Sequence, residues 1–179
     1  TGCAAELADM PTVTVNPNPN AGLSVSDDVI CVGETGQITI NNSQSGVLYQ
    51  LRDDANDNAV GSALVGNGGG ITFSVSPTTT TTYNVLAIIN ATSCSVELTD
   101  KPTVTVNSLP NDAIAVSDDE ICAGETAQVT ISNSQSGVLY QLRDDANDNA
   151  VGSALIGNGG NITFTLMPSS TTTYNVLAV

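Results

Sequence analysis

The chain has 179 residues, of which 18 are acidic and only 3 basic, giving a formal net charge of −15. That balance excludes a nucleic-acid partner, because phosphate binding needs clustered Lys and Arg, and it disfavours attraction to anionic membranes. The absence of His excludes any His-dependent catalytic triad, and no apolar run approaches the roughly 18 residues that a membrane-inserted helix needs.

The segment Asn42 to Leu64, NSQSGVLYQLRDDANDNAVGSAL, recurs letter for letter at Asn133 to Leu155, an offset of 91 (133 − 42). Laying residues 1–88 on 92–179 without a gap gives 64 identities in 88 positions. A fixed internal period takes precedence over any local motif. It predicts three parts: residues 1–16 as the last strand of a preceding repeat, 17–107 as a complete repeat, and 108–179 as a repeat lacking its last strand. The expectation is a window onto a longer array.

In chain order, residues 12–16 alternate and place Val13 and Val15 on one face, as Val104 and Val106 do one period later. Pro- and Asn-rich linkers follow at 16–22 and 107–112. Leu23 to Val25 opens a first strand that continues loosely to Cys31, and Gly33 marks a turn. Gln37 to Ile40 and Val47 to Arg52 alternate, with Tyr49 and Leu51 facing inward. DDANDN, residues 53–58, is a polar loop, and Ala59 to Val65 reads as a weak edge strand. In the turn at 66–70 glycine supplies positive φ. Ile71, Phe73 and Val75 alternate, then Tyr83, Val85 and Ala87. Cys94 opens a last long segment to Val106. About seven short strands and no helical period predict an all-β fold, tandem Ig-like antiparallel β-sandwiches with a 91-residue repeat. Each unit has three large rings for its core, Tyr49, Phe73 and Tyr83 in the first and Tyr140, Phe164 and Tyr174 in the second. Tyr83 is expected as a core residue, with a tyrosine-corner role as the alternative.

Each period holds two cysteines 63 positions apart (94 − 31). An even number in a small β domain with a thin core points to an oxidising compartment and a disulfide, Cys31 with Cys94. Cys122 is expected to bond to the equivalent cysteine of the next segment, which Cys3 represents in a neighbouring copy.

The sequences ICVGE at 30–34 and PTTTTTY at 77–83, together with the spacing to Cys94 and the PTVTVN strand, resemble the bacterial Ig-like (PKD-like) repeats of large secreted Bacteroidota surface proteins. The resemblance covers the whole period in both copies. It implies an Ig-like sandwich, a Cys31–Cys94 bridge, and use as a stalk or adhesive repeat. Many members carry Trp after the Tyr of the central strand, where this chain has Leu51.

No nucleotide-binding, hydrolase or zinc motif is present, and a non-enzyme is expected. The densest oxygen donors are Asp53, Asp54, Asn56, Asp57 and Asn58, repeated as Asp144, Asp145, Asn147, Asp148 and Asn149. Such a set suits calcium, although it does not fit an EF-hand loop; the plainer reading is a solvated Asx-rich turn. A second calcium reading joins Asp27, Asp28 and Asp112 with the linker asparagines. No cofactor is required on either reading.

These features predict a structural repeat of an extracellular, cell-surface fibre, stalk or adhesin, whose partners are neighbouring identical repeats arranged head to tail. The alternatives are a filament subunit that exchanges strands with its neighbours, and a module binding a surface glycan or a host or cell ligand.

Overall fold

The computed structural model describes residues 2–179; Thr1, the first residue of the expected 1–16 strand, lies outside them. The chain divides into two compact units, the first ending at Asn107 and the second running Ser108–Val179.

The first unit contains β1 (Asp28–Cys31), β2 (Gly36–Ile40), β3 (Val47–Asp53), β4 (Leu64–Val65), β5 (Ile71–Val75), β6 (Thr81–Ile89), β7 (Cys94–Glu97) and β8 (Thr103–Asn107). One sheet has the order β1-β8-β6-β3-β4, with β7 also paired to β6, and the other is β2-β5. Period-2 alternation decides which residues go inside. Ile38 and Ile40 of β2, and Phe73 and Val75 of β5, face Tyr49 and Leu51 of β3 and Tyr83 and Val85 of β6 in one buried cluster.

Several details differ from the sequence expectation. Of the edge strand expected at Ala59 to Val65 only Leu64–Val65 is a strand, with Ala59 in an isolated bridge to Arg52. The long segment after Cys94 is two strands, β7 and β8. The segment before Cys31 is not one strand. Val25 bridges Ile40 of the smaller sheet, and the chain then crosses so that β1 pairs with β8 of the larger sheet, in parallel. A strand that changes sheets in this way makes a corner of a sandwich. Two carboxylates hold it: the Gln37 N–H donates to Asp28 Oδ2 at 2.7 Å and the Thr103 N–H to Asp27 Oδ1 at 2.7 Å. The 66–70 turn has the expected positive-φ glycine and a second glycine needed for another reason. Gly68 alone among its glycines has positive φ, at 89°. Gly66 is required by close approach, since a Cβ there would lie 2.1 Å from the Gln44 carbonyl oxygen and 2.9 Å from the Tyr49 ring. That contact exists because the Gln44 N–H donates to the Tyr49 hydroxyl at 2.8 Å, which satisfies a phenol fully inside the core. Tyr83 is likewise a buried core ring.

The second unit contains β9 (Ala127–Ile131), β10 (Leu139–Asp144), β11 (Leu155–Ile156), β12 (Ile162–Leu166) and β13 (Tyr174–Ala178), arranged as β11-β10-β13 and β9-β12. These are the equivalents of β2 to β6, around a core of Val129, Ile131, Tyr140, Leu142, Ile162 and Phe164. Among the described residues no helix is long and apolar enough to cross a membrane.

Candidate functional site

The DDANDN loop is closed on itself. The Ala55 N–H donates to Asp53 Oδ1 and the Asn58 N–H to Asn56 Oδ1, the Asx turns that these side chains favour, and Asp57 takes positive φ. Asn84, buried in β6, donates to Asp57 Oδ1 at 2.8 Å and accepts from Arg52 Nε at 3.0 Å. Arg52 also pairs with Glu97. The second copy repeats this: Asn175 donates to Asp145 and Asp148, and Arg143 Nε donates to Asn175. Lys101 lies 2.6 Å from Asp54. That hydrogen bond holds the Asp54 carboxyl below its usual range and raises the Lys101 ammonium. Asp27 and Asp28 are engaged by the strand crossing described above. Among the described residues no three His, Cys, Asp or Glu side chains gather around a common point. Asp53, Asp54, Asn56, Asp57 and Asn58, and equally Asp144, Asp145, Asn147, Asp148 and Asn149, stand on a turn whose donors serve the fold.

The within-repeat disulfide is corrected. All four cysteines are free thiols, and strand register explains why. Cys94 lies opposite Ile89 at one end of β6, while Val104 lies opposite Thr81 at the other, eight positions away (89 − 81). Cys31 pairs with Asn107, three positions beyond Val104. At about 3.3 Å per residue Cys31 and Cys94 are roughly 35 Å apart, whereas a disulfide holds its Cα atoms about 4.4–6.8 Å apart. The period carries the same objection to Cys122 and the Cys3 of a neighbouring copy, because that Cys3 would take the place of Cys94 in the same sandwich. The ICVGE sequence explains the presentation of the cysteine. Cys31 and Glu34 close a turn with Gly33 at φ 92°, and the Glu34 carboxylate accepts the Cys31 N–H at 2.7 Å. Cys122 and Glu125 form the same turn.

In the second unit a groove of about 730 Å³ lies between the segment 116–123 and the edge of β13, at the period-equivalent of the place that β8 occupies in the first unit. Its apolar floor includes Val129, Leu142, Tyr174 and Val176. In the first unit the corresponding edge of β6 carries β7 and β8, where Leu98 is 2% and Val104 0% exposed. The contacts that seat β8 there are polar and specific. Val106 N–H donates to Thr80 Oγ1 at 3.0 Å, Tyr83 N–H to the Pro102 carbonyl at 2.8 Å, and Thr82 and Thr103 share a hydroxyl bond at 2.9 Å. Val25 N–H donates to Asp100 Oδ2 at 2.9 Å. The threonine run that leads into Tyr83 is therefore a receiving edge. Thr171, Thr173 and Tyr174 repeat it along the groove.

The motif of β7 and β8 occurs a second time in the chain. CAAELADMPTVTVN, residues 3–16, shares ten of fourteen residues with CSVELTDKPTVTVN, residues 94–107. It forms no strand, and its Leu7 and Val13 are 88% and 87% exposed, against the buried Leu98 and Val104.

No family model and no curated protein matches the chain. Similar solved structures include the fibronectin(III)-like modules of Clostridium thermocellum CbhA, at 9% identity and TM-score 0.46, covering 87% of this chain and 84% of that one. A three-Ig titin fragment, I67–I69 in an E-to-A mutated variant, is similar at 9% identity and TM-score 0.47, covering 87% and 62%. Chicken CNTN1 FN1–FN3 domains are similar at 12% identity and TM-score 0.44, covering 90% and 59%. The chain spans about three fifths of the titin and CNTN1 fragments. By its own strand order and core, this chain is a pair of all-β, Ig-like sandwich units.

Proposed function

We propose that the chain is a structural repeat segment of an extracellular cell-surface fibre, stalk or adhesin, without catalytic activity, whose units join through their last strands. The observation that supports this most is the 91-residue repeat itself, with 64 of 88 aligned positions identical and the same strands built from both copies. Loops as well as cores recur between the copies, which suits a uniform array in which the repeat itself is the functional element. The rings Tyr49, Phe73 and Tyr83 are all buried, leaving the first unit no aromatic stacking platform for a glycan. Protease shaving of intact source cells tests the location. Release of DDANDN-bearing peptides is expected, and their recovery only after lysis overturns the surface assignment.

A second reading is strand exchange between copies, a form of β-strand addition. Residues 3–16 of one copy then occupy the groove of another. Thr12 N–H meets Asp118, Val15 N–H meets Thr171, and Asp9 meets the Val116 N–H, each the period-equivalent of a bond made by β8 or its lead-in. Sedimentation in reductant tests it: mass rising with concentration in whole-chain steps, abolished by Val13→Asp, is expected. A chain that stays monomeric at every concentration overturns it.

A further inference from the structure

We propose that the outer edge of β5, and its equivalent β12, pairs antiparallel with the same edge of a second copy, joining two sandwiches side by side through one continuous sheet. The inference needs neither the array nor strand exchange. Both edges are internal to a repeat; β5 is bounded by that repeat's own connections at 66–70 and 76–80.

The ladder decides which backbone groups are free. In β2 the Thr39 N–H donates to Ser26 Oγ at 2.9 Å, and its carbonyl accepts from the Ser26 N–H at 2.9 Å. The Gln37 N–H donates to Asp28 Oδ2. Gln37 and Thr39 therefore point away from β5, and the pairs that exchange hydrogen bonds are Gly36 with Val75, Ile38 with Phe73 and Ile40 with Ile71. Thr72 and Ser74 direct their N–H and C=O groups to the opposite side. Among the described residues nothing bonds them there, and β5 pairs with β2 alone. The second unit repeats this. Thr130 makes the same two bonds to Ser117, so Thr163 and Thr165 are the outward residues of β12.

Sheet edges are ordinarily blunted by shortness, charge, Pro or a bulge. At the edges of the larger sheet, β4 has two residues and β1 carries Asp28. β5 has five residues and no Pro, and no charged residue lies between Asp57 and Glu97 in a chain of net charge −15. β12 also has five, with no charge between Asp148 and Leu166. This neutrality selects the occupant. A basic partner has acidic surface elsewhere to bind, whereas a second copy must approach where like charges are absent. The strand is also its own complement. With a two-fold axis at Phe73, Thr72 of each copy lies opposite Ser74 of the other, and the two exchange the N–H···O bonds that their outward groups offer. On the core side Phe73 meets Phe73 and Ile71 meets Val75, cross-strand pairs that stabilise a sheet. In β12 Thr163 lies opposite Thr165 about Phe164. A patch that matches itself in this way makes an isologous contact. A shift of one residue would set the outward groups against residues whose own groups are committed to β2.

The test uses the full chain carrying Val13→Asp, in reductant, so that residues 3–16 take no part. Amide exchange is followed by NMR as the concentration rises to the millimolar range in about 0.5 M sodium chloride, where like charges are screened. Exchange of the Thr72, Ser74, Thr163 and Thr165 amides is expected to slow severalfold with concentration, and less so at low salt. Adding Ser74→Pro and Thr165→Pro removes an outward N–H from each edge and none from the β2 or β9 ladder, so the concentration dependence is expected to vanish. Should those prolines unfold the units, seen as collapsed amide dispersion, Ser74→Glu with Thr165→Glu keeps the backbone and places a like charge on each edge, with the same loss expected. Exchange independent of concentration at both salt levels, association that folded variants of either kind retain, or protection confined to other segments overturns the proposal. If association of the parent chain disappears entirely with Val13→Asp, lateral pairing is overturned and strand exchange stands.

Discussion

Val104 and Val13 occupy the same place in the same motif, one fully buried and the other 87% exposed, so a single substitution made at each separates folding from assembly. Val104→Ala removes two carbons from a closed site, about 0.8 kcal/mol each by transfer, and leaves a small cavity that adds a further cost. The sum is about 2 kcal/mol. At about 4–8 °C per kcal/mol for a domain of this size, the first unit should melt roughly 8–16 °C lower by scanning calorimetry on the reduced, dilute chain. Val13→Ala in the same assay should stay within about 0.5 kcal/mol of the parent, as exposed substitutions do. In sedimentation at higher concentration the order reverses. Val13→Ala should weaken association by a similar 2 kcal/mol, roughly 30-fold in Kd, while Val104→Ala leaves association unchanged. Equal melting losses for the two variants, or unaltered association of Val13→Ala, would refute the assignment of residues 3–16 to the groove.

Gly66→Ala should destabilise the first unit by about 3 kcal/mol, measured by urea denaturation, because its Cβ meets backbone that cannot retreat. Asp28→Ala should cost about 1.5–3 kcal/mol by losing charge-assisted acceptance of the Gln37 N–H, seen as an earlier urea midpoint. Melting in chelator and in millimolar calcium should coincide, since the DDANDN donors are engaged within the fold; a saturable rise in Tm with calcium would contradict that. The Asp54–Lys101 contact sets a pH window. The Asp54 carboxyl is held below its ordinary range, first by the Lys101 hydrogen bond, so its contribution is present above the unfolded carboxylate pKa of about 4 and is lost as pH falls through the lower folded value. The Lys101 ammonium is raised, first by Asp54, so its contribution is lost as pH climbs through the raised folded value. Lys101→Met, which copies Met10, should lower Tm slightly at neutral pH, less in high salt, and not at all at acid pH where Asp54 is protonated.

The strands with strict alternation were legible residue by residue. Ile38 and Ile40, Tyr49 and Leu51, and Phe73 and Val75 all face inward as their period requires. What pattern did not carry was pairing. Nothing local in DDVIC says that Val25 bonds one sheet and Ile30 the other, because the parallel partner lies some 76 positions away (106 − 30). The cysteine count pointed to a bridge but not to its ends; only the register along β6 shows that Cys31 and Cys94 sit at opposite poles. The aspartates are ambiguous in sequence for a related reason. Carboxylates that accept backbone N–H groups across distant strands look, in sequence, the same as carboxylates free to take a cation. One signal was available throughout: the Asp-Asp pair and the Thr-Thr-Tyr run recur in both copies, as the clamp and the receiving edge of one strand do.

The two copies also show that the corner depends on its partner. Asp28–Cys31 is a strand with Ile30 buried, whereas 119–122, DEIC against DVIC, forms no strand and has Ile121 only half-buried. The sequences differ at one exposed position, so the difference arises from the presence of β8 rather than from propensity. Asp119 still accepts the Gln128 N–H at 2.7 Å, so the crossing is anchored at its start and free at its end. Seating a last strand in the groove therefore completes two elements at once, the strand itself and the parallel strand that it templates. A strand slipped by one residue would turn Val13 outward, so the apolar face of the seated strand fixes its register.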